Sequence, residues 1–154
     1  MFPELDTTFV VLTNGDVDAY WDTEAFVHEL IAGPTEKTRN YRFTQDLVDL
    51  TALKGLEAGV TMGQANTDGR KAREGVVDLA AFKLIHRGQN EIGINLLQLN
   101  RALQRNSDYA IYRLADGLRV TGQTAQALDM YRTYLGRVPG DAEAEARIAE
   151  LSKS

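Results

Sequence analysis

The dipeptide Gly88-Gln89 returns as Gly122-Gln123, 34 positions later, and the residues around both copies share one apolar pattern. Aligned on the glycines, Val77 falls on Ile111, Ala80 on Leu114, Ala81 on Ala115 and Leu84 on Leu118. Beyond the turn, Gly93 falls on Ala127, Ile94 on Leu128 and Leu97 on Tyr131. A period of this length is the mark of a repeat architecture, in which each unit is one supersecondary element that buries its apolar face only against its neighbour. Each copy reads as helix, tight turn, helix. The spacing therefore predicts a mostly α fold of antiparallel helix-pair repeats, over 74–107 and 108–141.

Flanking segments complete the stack. Asp141 stands where it can cap a last helix over 142–152, with Ala142, Ala146, Ile148, Ala149 and Leu151 on one side and acidic residues on the other. Upstream, Thr44 opens a long helix carrying Leu47, Val48, Leu50, Leu53, Leu56 and Val60. In it Gly55, Gly59 and Gly63 recur every fourth residue. Three interior glycines cost about 1 kcal/mol each relative to alanine. Their expected return is close packing against the helix around 76–86. Residues 65–75 are a polar connection.

The first 43 residues differ in character. Thr7 to Thr13 is β-branched and aromatic and runs into Asn14-Gly15, which predicts a short β-strand ending in a turn. No second strand is evident to take its backbone hydrogen bonds. Pairing of two copies about a two-fold axis would bury Phe9, Val10, Val11 and Leu12, so a homodimer is one expectation. A helix follows over 22–33, ended by Gly33-Pro34, and 35–43 lacks periodicity and reads as a linker. The expected domains are a strand-helix segment 1–34, the linker 35–43 and a helical repeat domain 44–154.

Charge and composition exclude several function classes. Net charge is −5 with no basic stripe, which argues against nucleic acid or an anionic membrane as partner. With no cysteine there is no disulfide, thiolate nucleophile or Cys-rich zinc site. No apolar run reaches membrane-spanning length and no signal segment is evident, so the cytoplasm is the default expectation. Asn14, Asp16, Asp18 and Asp22 are spaced faintly like a calcium loop, but Ala19 and Ala25 stand where its glycine and glutamate belong. Glu24 and His28 lack further ligands. No metal or cofactor is expected.

With Ile111, Leu114, Ala115, Leu118, Gly122, Ala127, Tyr131 and Pro139 in place, the second repeat resembles the tetratricopeptide repeat. The first is a weaker copy, with Arg105 for the closing proline and Gly93 and Asn100 at positions usually held by alanine. That resemblance implies a concave peptide-binding face on the first helix of each repeat, presenting Asp78, Phe82, Ile85, Tyr109, Tyr112, Asp116 and Arg119. The Lys and Asn pairs that clamp a carboxylate in some such proteins are missing from it.

Residues 2–14 (FPELDTTFVVLTN), 22–33 and 94–100 (INLLQLN) also resemble the last strand, closing helix and repeat tail of bacterial serine beta-lactamase-like hydrolases. Such chemistry requires a Ser-x-x-Lys nucleophile, a Tyr-x-Asn and a Lys-Thr-Gly or His-x-Gly strand. The serines are Ser107, Ser152 and Ser154, none three residues before a lysine. His86-Arg87-Gly88 spells the third motif, but at a helix end where the turn itself calls for glycine. The expected function is a non-catalytic protein–protein interaction module. The alternative is the C-terminal fragment of such a hydrolase, dependent on a separate catalytic domain.

Overall fold

The computed structural model describes Val27 and residues 29–153. The expected strand, with Phe9, Val10, Val11 and Leu12, lies outside the described residues, among which there is no strand. A helix ends at Ala32, and Gly33 leaves it with φ 84°. Seven helices then follow: α1 (Glu36–Lys54), α2 (Leu56–Gln64), α3 (Glu74–His86), α4 (Asn90–Leu103), α5 (Asp108–Val120), α6 (Thr124–Leu135) and α7 (Ala142–Leu151). The heaviest packing is within the pairs α3–α4 and α5–α6; α4 joins the pairs through α5, and α7 closes the stack on α6. None of these helices is long and apolar enough to cross a membrane.

The repeat period is visible in the backbone. Gly88 and Gly122 have φ 76° and 79°. In the first turn, Gly88 N–H donates to Ile85 O at 2.9 Å and Gln89 N–H to Leu84 O at 3.0 Å. In the second, Gly122 donates to Arg119 O at 3.1 Å and Gln123 to Leu118 O at 2.8 Å. Both are complete Schellman ends, which satisfy the last carbonyls of one helix while turning the chain into the next. Positive φ is what reserves these two positions for glycine. Of the aligned positions, Val77, Ala81, Ile94, Leu97, Leu114, Ala115, Leu118, Ala127 and Tyr131 are buried in one core and Ile111 is buried as well, while Ala80, Leu84 and Leu128 are partly buried.

Gly93, opposite Ala127, has a local cause. A β-carbon there would stand 2.8 Å from the Ala81 carbonyl oxygen and 2.5 Å from Ile85 Cγ1, so α3 and α4 cross with no room for one. Asn100 is 1% exposed and its Nδ2 donates to Glu74 O at 3.1 Å, which ties the end of α4 to the start of α3. At the other end of the stack, Asp141 Oδ1 accepts from Ala144 N at 3.0 Å and caps α7 as expected.

Before the repeats the structure departs from the sequence reading. Residues 36–43 are helical: Thr35, not Thr44, is the N-cap. Its Oγ1 accepts from Thr38 N at 3.2 Å, while Thr38 Oγ1 accepts from Thr35 N at 3.1 Å. Buried polar residues hid this helix. Thr38 and Thr44 are at most 1% exposed. The Thr44 hydroxyl donates to Asn40 O at 2.7 Å and accepts from Arg73 N at 2.9 Å, and Asn40 Oδ1 accepts from Lys71 N at 2.8 Å. The polar side of α1 thus fastens the connection 65–73.

The long helix is also interrupted. Gly55, with φ 88°, separates α1 from α2. Gly59 and Gly63 do allow a close approach, but to α4 rather than to 76–86. β-Carbons at these positions would meet Leu99 Cδ1 at 3.3 Å and Leu103 Cδ2 at 2.5 Å, and Gly59 also faces Thr51 of α1.

Candidate functional site

The first helices of the two repeats, α3 and α5, lie side by side, and across their junction runs a chain of charged and aromatic groups. Asp78 on α3 is 6% exposed, a burial that a carboxylate sustains only when paired. Arg113 Nε donates to its Oδ1 at 2.9 Å and the Tyr109 hydroxyl to its Oδ2 at 3.0 Å. The Arg113 guanidinium lies over the Phe82 ring, 4.1 Å from its centroid, and 5.9 Å from that of Tyr109. A desolvated cation on an aromatic face adds to the ion pair.

Arg113 also reaches forward, with Nη1 at 3.3 Å from Asp116 Oδ2. Asp116 Oδ1 accepts from the Tyr131 hydroxyl at 2.6 Å and from Arg119 Nη2 at 3.5 Å, and Arg119 Nε donates to Tyr131 at 3.3 Å. Tyr112 stacks edge-on against Tyr131 at 5.8 Å and tilted against Tyr134 at 5.1 Å. Glu74 on α3 accepts from the Ser107 hydroxyl that caps α5. The two repeats are thereby locked in register by polar bonds as well as by the core.

These bonds leave their mark on proton affinities. Burial, then the Asp116 and Glu143 carboxylates, pushes the Tyr112 phenol up to about 12. Burial, then its bond to Asp116, raises that of Tyr131 well above the usual phenol range. Tyr109 is raised by burial and then by Asp78. Burial opposes the Arg113 charge, but the Asp78 bond and field outweigh it and raise its pKa.

The seven residues expected on this face divide into two groups. Ile85, 9% exposed, belongs to the core over Gly93, and Asp78 has both carboxylate oxygens engaged within the protein. Phe82, Tyr112, Asp116 and Arg119 are half-buried, and Tyr109 stands out at 47% exposure. Two residues escaped the sequence reading: Arg113, which organises the chain of contacts, and Val120, 50% exposed at the end of α5. The signal for Arg113 was the acid on α3. An aspartate beside apolar residues on a helix needs a cation, and α5 places Arg113 across from it.

His86, Arg87 and Gly88 occupy the end of α3 and its Schellman turn. Among the described residues, no three His, Asp or Glu side chains gather where they could hold a metal ion. The chain matches no family model and no curated protein sequence.

Proposed function

We propose that the chain is a protein–protein interaction module of the tetratricopeptide type, without catalytic chemistry of its own, that holds a peptide against the α3–α5 face. The observation that supports this most is the Asp78–Arg113–Asp116–Arg119 chain. It fixes Phe82 and Tyr109 on two adjacent helices, with Tyr112 packed beside it on Tyr131 and Tyr134, and aromatic rings held in place bind at low cost in side-chain entropy. Exposed Tyr109 and Val120 extend the face at either end of α5. Peptides selected by display on the full chain are expected to bind Tyr109→Ala and Val120→Asp variants at least about tenfold more weakly. Undiminished binding to both folded variants would end this reading.

The segment 7–13 is the second contact in the proposal, joining two copies through Phe9, Val10, Val11 and Leu12. Light scattering is then expected to give twice the chain mass, falling to the single mass in Val11→Lys. A single mass for the unaltered chain would remove self-association from the proposal.

A further inference from the structure

Away from the α3–α5 face, the connection 65–73 leaves a cleft of about 300 Å³ between itself, α2 and the end of α4. Phe43, Gly63 and Leu103 form its apolar floor, and Asn66, Arg70 and Lys71 line its wall. At Gly63 the Leu103 side chain packs directly on backbone, where a β-carbon would run into it. The wall is held open by bonds already formed. Lys71 N and Arg73 N are fastened to α1, and Gln104 Nε2 donates to Ala72 O at 2.9 Å.

Three features of this cleft point to one kind of occupant. The Lys71 side chain is exposed and among the described residues meets no carboxylate. Beside it, the Arg70 guanidinium lies on Phe43, 4.5 Å from the ring centroid, with its Nε engaged by Asp68. Two cations against one carboxylate leave the mouth positive in a chain of net charge −5. Asn66 supplies the opposite requirement. Its Nδ2 donates to Arg70 O, which can only accept, so the amide orientation is determined. Its Oδ1 is buried with no donor. An orphaned buried acceptor destabilises the fold until a donor reaches it.

We propose that this cleft binds the carboxyl-terminal residue of a peptide partner. The terminal carboxylate meets Lys71 and Arg70, the residue's own N–H donates to Asn66 Oδ1, and an apolar side chain lies on Leu103 and Phe43. The chemistry requires anion, donor and apolar group together. A simple anion would leave the floor and Asn66 unused, and a mid-chain Asp or Glu would bring its carboxylate to Lys71 without an apolar side chain on the same residue for the floor. This site is independent of the α3–α5 face.

The test uses the isotope-labelled full chain titrated with acetyl-Gly-Leu, with the same dipeptide as its C-terminal amide, and with inorganic phosphate. The acid is expected to shift the backbone resonances of Gly63, Asn66, Lys71, Leu103 and Gln104 saturably. The amide should bind at least about tenfold more weakly. Lys71→Gln, at an exposed position, should weaken the acid about fivefold without moving the melting temperature. Equal binding of acid and amide, equal shifts with phosphate, or no saturable shift at millimolar peptide would each overturn the proposal. Shifts confined to Tyr109, Arg119 and Val120 would overturn it while supporting the α3–α5 reading.

Discussion

Replacing Arg113 with alanine is expected to lower the unfolding free energy by about 3 kcal/mol, a large share of what a domain of this size commands. Its loss leaves the Asp78 carboxylate, 6% exposed, with only the Tyr109 hydroxyl. It also strips Asp116 of one donor and uncovers the face of Phe82. Arg113 is itself 27% exposed, so water reaches part of the gap and holds the figure to the low end for a buried pair. Arg113→Lys should recover less than half, because an ammonium has neither the planar fork nor the stacking surface. In a double-mutant cycle with Asp78→Ala, the coupling is expected at about 1–3 kcal/mol. Urea denaturation of the four proteins measures it, and a coupling indistinguishable from zero would mean that the pair is effectively solvated.

The second large effect comes from a single methyl group. Gly93→Ala is expected to cost about 2 kcal/mol and to lower Tm by roughly 5–10 °C, even though alanine is the better helix former by about 1 kcal/mol. The new β-carbon would sit 2.8 Å from the Ala81 carbonyl, which is backbone and yields only by moving α3 away from α4. Gly75→Ala is the control. That glycine lies in the first turn of α3 and has nothing within 4 Å of the added carbon, so there a propensity gain of up to about 0.5–1 kcal/mol should appear unopposed. The same substitution thus carries opposite signs at two sites. Thermal melts in which both variants rose would show that the helix crossing is looser than the contacts imply.

Legibility followed the kind of force at each element. Where apolar burial and glycine torsions decide the structure, as at 74–141, period and turn chemistry located every helix. Asp141 and Gly33 marked their helix ends for the same reason, because a cap or a positive φ is a local property. The reading failed where polar side chains do the packing. Asn40 looks like linker, and Thr44 like the start of a helix, because the amide of one and the hydroxyl of the other serve the backbone of a loop some thirty residues ahead, a partnership with no local trace. The every-fourth glycine pattern spoke of close approach but not of the right neighbour: the helix around 76–86 was expected, Leu99 and Leu103 of α4 are what Gly59 and Gly63 meet, and Gly55 proved to be a break. At the α3–α5 face the residue types were legible but their depth was not. Ile85 turned inward, and Arg113 emerged as the hub because burial of Asp78 is a property of two helices together.

The near-identity of the two Schellman turns has an implication for how such a chain can change in length. Because each turn uses the same torsions and the same pair of carbonyls, a whole 34-residue unit could be duplicated between them with every side chain keeping its facing. A single residue added within α4 or α6 would instead rotate everything after it by about 100° about the helix axis, carrying core positions to the surface. Growth by complete modules is tolerated, and growth by increments is not.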